Sequence, residues 1–121
     1  MAMTRAQLLI DSLTLLSSPA DAQLQYLRHL GDRIGVDELA LEYDDIAAAA
    51  EDMRQSSELT AAQCDAAQRL RKYLMSISGA SNWSLWTPEA LYSASEWAEV
   101  RRMASEALLL LSNSPRDANG G

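Results

Sequence analysis

Apolar residues along this chain recur at intervals of three and four, the spacing that gathers side chains on one face of an α-helix. Leu9, Leu13 and Leu16, with Ala6 above them, share such a face over residues 4–16. Ser17-Ser18-Pro19 stops that segment and starts the next. Ser18 is a candidate cap, Pro19 suits the first helical position, and Asp21 lies where the helix dipole favours a carboxylate. Ala20, Leu24, Leu27 and Leu30 point inward on a second helix over 19–30, and Gly31 is its expected left-handed stop. After a loop at Asp32-Arg33-Ile34-Gly35, the residues Val36, Leu39, Ala40, Tyr43, Ile46, Ala47, Ala50 and Met53 make one unbroken stripe. That stripe predicts a single helix over 36–54.

Thr60 and Gln63 form a capping-box pair that opens a fourth helix. Ala67, Leu70, Leu74 and Ile77 carry its inner face, Tyr73 flanks them, and Ser78-Gly79 ends it. A loop over 80–86 follows, holding Trp83 and Trp86. Thr87-Pro88-Glu89 starts a short helix, and Ser93 with Glu96 makes a second capping box before a last helix over 94–111. Its stripe is Trp97, Val100, Ala104, Ala107, Leu108 and Leu111, and Asn113-Ser114-Pro115 ends it. The pattern predicts an all-α fold: a compact antiparallel helical bundle of about five helices plus one short helix. It predicts one domain over 1–115 and a disordered tail over 116–121.

Composition narrows this further. There is no Phe, and Val and Ile are scarce, so the β-branched and aromatic residues that strands favour are largely missing. Cys64 is the single cysteine, which fits a reducing compartment and an expected cytoplasmic location. The apolar stretch near the N-terminus meets Asp11 too early for a signal peptide, and no run reaches the roughly 20 apolar residues of a membrane span. The net charge of −7 opposes binding to nucleic acid or to an anionic membrane surface and suits a basic partner.

That charge is concentrated. Residues 36–55 hold Asp37, Glu38, Glu42, Asp44, Asp45, Glu51 and Asp52 against one base, Arg54, a balance of −6. Glu38, Glu42, Asp45 and Asp52 fall on one side at helical spacing, with Asp37, Asp44 and Glu51 on the adjacent strip. Like charges so spaced repel by roughly 0.2–0.5 kcal/mol per pair, with no local compensation. One reading is a docking face for a basic protein; the plain one is a solvated face opposite the core. Metal binding by Glu38, Glu42 and Asp45 lacks support: the lone His29 has no Glu three residues before it, and no EF-hand loop is present.

His29 suits a helix C-terminus better than a general base, and Cys64 suits a core or boundary position better than a nucleophile. There is no Gly-x-Ser-x-Gly elbow and no Gly-rich phosphate loop, so no active site, cofactor or metal is predicted. Trp83, Trp86 and Trp97 fit either a binding hot spot or closure of the bundle end, with Trp97 on the apolar stripe. One of Arg101 and Arg102 is expected to pair with a carboxylate of the acidic helix or with Glu89.

Two segments resemble a functionally uncharacterised family of small all-α bacterial proteins, common in filamentous soil bacteria. The first is Asp37-Glu38-Leu39-Ala40-Leu41-Glu42-Tyr43-Asp44-Asp45. The second starts at Met75-Ser76, passes Asn82 and Leu85-Trp86-Thr87-Pro88-Glu89-Ala90-Leu91, and ends at Trp97-Ala98-Glu99-Val100-Arg101. The similarity covers about residues 22–111. The chain departs from the family at Ser76-Ile77-Ser78-Gly79, where a plain Met-Ser-Gly is expected, and in a shortened loop after Met53. The resemblance implies an immunity-type or accessory protein of a polymorphic toxin system and carries no catalytic residues.

Pattern, charge and resemblance together point to a protein-binding module. On this reading an immunity protein neutralises a basic toxin domain through Glu38, Glu42, Asp44 and Asp45 of the acidic helix, with Trp83 as a further partner-binding candidate. The alternative is a self-associating structural or regulatory helical module, using Leu15, Leu109 and Leu110 with the Trp loop.

Overall fold

A computed structural model describes residues 4–112. It is all-α among those residues, with seven α-helices: α1 (Arg5–Ser17), α2 (Ala20–Leu30), α3 (Asp37–Ala47), α4 (Ala50–Gln55), α5 (Ala61–Ser76), α6 (Pro88–Ser93) and α7 (Ser95–Ser112). A 3-10 segment, Ala80–Leu85, joins α5 to α6. The expected tail over 116–121 and the stop at Asn113-Ser114-Pro115 lie outside the described residues.

Four helices form a ring in which α1 packs on α3, α3 on α5, α5 on α7 and α7 on α1. Side-chain bonds give their directions. The Gln63 amide, at the start of α5, donates to the Leu110 carbonyl at the end of α7 (3.0 Å), while Arg101, early in α7, reaches the Ser18 carbonyl just past α1 (3.2 Å). Arg5 of α1 bonds Asp52 in α4, beyond the end of α3 (2.8 Å). Ring neighbours are therefore antiparallel, which is an up-down-up-down four-helix bundle with α2 and α6 inserted at one end.

The stripes face inward as their periods demand. Leu9, Leu13, Leu16, Leu39, Tyr43, Leu70, Trp97, Val100 and Ala104 are all fully buried or nearly so. Trp97 is the largest of them; truncating such a side chain typically costs about 3–5 kcal/mol. Exposed ion pairs such as Arg102 with Glu99 and Glu106 contribute only about 0–1 kcal/mol each, so packing decides this fold.

Several local expectations are corrected. The helix over 36–54 is two helices: at Ala49 (φ −88°, ψ 0°) the N–H turns to the Ile46 carbonyl, three residues back. Four consecutive alanines, Ala47–Ala50, are strong helix formers, so local propensity does not account for the bend. It leaves Ala50 and Met53 buried with Leu59 at the bundle end. Pro19 is the N-cap of α2 rather than its first residue, and the Ser18 hydroxyl donates backward to Thr14. Ser93 likewise caps nothing, since its hydroxyl donates to Glu89. Gly31 ends α2 at φ 154°, ψ 160°, mirror-extended rather than helical left-handed, and Leu30 is exposed. The Thr60–Gln63 capping box forms as read.

Arg101 and Arg102 reach neither the acidic helix nor Glu89. Arg102 bonds Glu99 and Glu106 of its own helix. Arg101 donates to the Ser18 and Leu91 carbonyls and to the fully buried Gln23, whose amide in turn donates to the Leu15 and Leu16 carbonyls. This knot joins α1, α2, α6 and α7, and partial burial lowers the Arg101 pKa.

α4 ends in a Schellman turn: Glu58 N–H donates to Met53 (2.7 Å) and Ser57 N–H to Arg54 (3.1 Å). The turn puts Ser57 at φ 66°, a region that costs L-residues about 1–2 kcal/mol. Ser57→Gly is expected to stabilise the chain by about 0.5–1 kcal/mol, read as a higher urea midpoint at unchanged m-value.

Arg5 clamps this end by bonding both Glu58 and Asp52. Its guanidinium, with the Ser56 hydroxyl, lowers the Glu58 pKa from an ordinary 4.5 to about 2. A carboxyl depressed in the folded state contributes stability above its unfolded pKa and loses it as pH falls through the folded one. The urea midpoint of Glu58→Gln should therefore fall less steeply than that of the natural chain between pH 4.5 and 2.

Candidate docking surface

The rotation of α3 decides which carboxylates face water. Leu39, Tyr43 and Ala47 are buried, and the Tyr43 hydroxyl donates to the Ala67 carbonyl of α5 (2.7 Å). Burial raises the Tyr43 pKa, keeping the phenol a donor. With Tyr43 inward and 100° per residue, Glu42, Glu38 and Asp45 fall together on the flank toward α2. Asp44 and Asp37 fall on the flank toward α5, and Leu41 lies between the two groups.

The two flanks differ in compensation. Asp44 bonds Arg71 of α5 at 2.6 Å. In α4, Glu51 pairs with Arg54 and Asp52 with Arg5, so the bend separates those two acids from the α3 strip and each has its own arginine. Glu38, Glu42 and Asp45 have no cationic partner among the described residues. Glu42 does accept a hydrogen bond, from the Tyr26 hydroxyl of α2 at 2.6 Å, which fixes its head without cancelling its charge.

Of the sequence candidates, then, Glu38, Glu42 and Asp45 come together, while Asp44 is held apart by Arg71. Trp83 stands on the 3-10 segment with 71% of its surface exposed. The other two tryptophans close the bundle end. Trp86 stacks edge-on against Trp97 at 5.3 Å and donates to Ile77, and Trp97 donates to Leu85. Leu109 and Leu110 are exposed, but they sit at the far end of α7 from Trp97, about 18 Å along its axis, and form no single patch with the Trp loop.

Sequence reasoning missed Tyr26, whose pairing with Glu42 spans a loop and has no local signal. It also missed Leu41, which is 52% exposed. That signal was present, since Leu41 lies off the inward stripe. Leu41 and the exposed Met75 line a shallow groove of about 230 Å3 between α3 and α5.

The chemistry-bearing side chains elsewhere are quiet. Cys64 is buried, and burial followed by its bond to Glu51 pushes the thiol above its ordinary pKa, away from the reactive thiolate. His29 is exposed in the last turn of α2. Among the described residues no three His, Cys, Asp or Glu side chains converge to hold a metal ion, and no helix is long and apolar enough to cross a membrane. Comparison with protein-family models, curated proteins and solved structures finds no match.

The Glu42 hydrogen bond is measurable through its donor. It pushes the Tyr26 phenol up to about 12, with burial adding to the effect. Glu42→Gln is expected to return Tyr26 toward the ordinary tyrosine value of 10, read by NMR titration of its ring carbons. An unmoved Tyr26 titration would show that this contact does not form in solution.

Proposed function

We propose that this chain is a protein-binding module whose α3 docks a basic partner. The observation that carries the reading is the strip of Glu38, Glu42 and Asp45, exposed or half-exposed and without a cationic partner among the described residues. Their mutual repulsion is a standing local cost that a cationic surface would relieve on contact. Carboxylates at the rim of an interface act chiefly on association rate and partner choice. Asp44 contributes less than its neighbours because Arg71 already occupies it, and Trp83 offers an aromatic anchor on a separate element.

The resemblance of the Asp37–Asp45 and Trp86–Leu91 segments gives the reading its biological form: an immunity protein, acting in the cytoplasm, that neutralises a basic toxin domain. The test is stopped-flow association with the basic domain of a toxin encoded beside this chain. The association rate is expected to drop about tenfold between about 50 and 300 mM salt. It should drop by a similar factor in the triple variant Glu38→Gln, Glu42→Gln, Asp45→Asn, whose helical circular dichroism should match that of the natural chain. Rates indifferent to both changes would refute the docking role of α3.

A further inference from the structure

Beside the carboxylate strip, α1 and α3 leave an open groove of about 440 Å3. Its apolar surface comes from Leu8 and Leu15, seven residues apart on one face of α1, which oppose Ile46 of α3, with Ser12, Thr14 and Ser18 beside them. Leu8 is exposed, and Leu15 and Ile46 are half-buried, so a hydrocarbon surface remains in water here. The rim is anionic. Asp11 stands on the α1 side, bonded only to the Gln7 amide (3.0 Å), and Glu42 stands opposite with Tyr26. No Lys, Arg or His lines the groove. It extends along α1 from Leu8 to Ser18, ten residues or about 15 Å, close to three helical turns.

Leu8, Leu15 and Ile46, between Ser and Thr hydroxyls and a rim whose only charges are negative, define the complementary shape and charge. The geometry points to an amphipathic basic helix of the partner as the occupant. Its apolar side chains, spaced three and four apart, pack on Leu8, Leu15 and Ile46, while Lys or Arg on its flanks meet Asp11 and Glu42. This is the helix-in-groove mode of recognition. It rests on the protein-binding reading above and deepens it: the strip of α3 attracts the partner, and the groove holds it. An anionic membrane is disfavoured by the same rim, since its phosphates would face Asp11 and Glu42.

The probe is a synthetic Leu/Lys peptide of about 18 residues with its leucines on one helical face. It is compared with a permuted peptide of the same composition whose leucines are spread around the helix. Binding to the full chain is followed by calorimetry and by methyl NMR. The amphipathic peptide is expected to shift the Leu8, Leu15 and Ile46 methyls and to bind about tenfold more tightly than the permuted one. Leu8→Ser, at an exposed position, and Thr14→Arg, which places a cation on the rim, should each remove most of that advantage. Equal affinity for the two peptides, or shifts confined to Leu41 and Met75 or to Leu109, would overturn the groove assignment. So would absence of binding or peptide-induced self-association of the chain.

The two readings fail separately. If Glu38→Gln with Asp45→Asn, both outside the groove, weakens both peptides equally while Leu8→Ser changes neither, the groove is wrong and the strip stands. If Leu8→Ser abolishes the preference while the strip variant binds at the natural rate at low salt, the strip is wrong and the groove stands.

Discussion

The surface of this bundle depends on how α3 is rotated, and that rotation is held by one side chain. Tyr43 is fully buried, yet its hydroxyl must be satisfied, and the Ala67 carbonyl of α5 satisfies it at 2.7 Å. A buried hydroxyl without a partner costs about 1–3 kcal/mol, so rotations of α3 that break this bond are penalised in addition to losing the packing of Leu39 and Ala47. Because residues on a helix are locked at 100° to one another, fixing Tyr43 fixes Glu38, Glu42 and Asp45 on the outside as well. The exposure of the acidic strip descends from that constraint.

The same economy of polar groups joins the helices at the bundle end. Gln23 is fully buried between helices and uses both halves of its amide, donating to Leu15 and Leu16 and accepting from Arg101. Arg101 then ties the end of α1 to α6 through two carbonyls. Among the described residues no buried side-chain nitrogen or oxygen lacks a partner. A network satisfied to that degree specifies one arrangement of helices more sharply than apolar packing alone, which tolerates sliding among Leu and Ala surfaces. Trp86 and Trp97 act similarly at the bundle end, each an apolar mass whose single N–H finds a carbonyl.

Charge is distributed unevenly over this frame. At α4 each acid meets an arginine, so that region reads as structural: Arg54 pairs with Glu51 within the helix, and Arg5 bridges Asp52 and Glu58 across the turn around Met53 and Leu59. On α3 the acids toward α2 are left without cations, next to a groove with bare Leu8. Compensation in one place and its lack in another, within one acidic stretch of chain, is what separates a structural use of carboxylates from one that leaves charge available to a partner. Concentrated charge draws a partner from a distance limited by salt to about a Debye length, roughly 8 Å at physiological ionic strength. Apolar walls act only after contact, by excluding water. On the docking proposed above, the strip would act before contact and the groove after it.

The 3.6-residue period in the sequence was enough to place five of the helical segments and nearly all of the core. Leu9, Leu13, Leu16, Tyr43, Leu70, Trp97 and Val100 could each be assigned inward, because burial of apolar side chains is a local consequence of helical geometry. The concentration of acid over residues 36–55 was equally legible, being composition alone. Three matters were decided only by tertiary structure. The alanine run, which local propensity alone would keep helical, bends at Ala49, where the chain turns to bury Met53 and Leu59. Arg101 passes over every carboxylate for carbonyls and Gln23, since partner choice follows proximity in space and not charge in sequence. And the acidic stretch divides into paired and unpaired carboxylates largely because Arg5 and Arg71 arrive from other helices, at separations of 47 and 27 residues that no local pattern records.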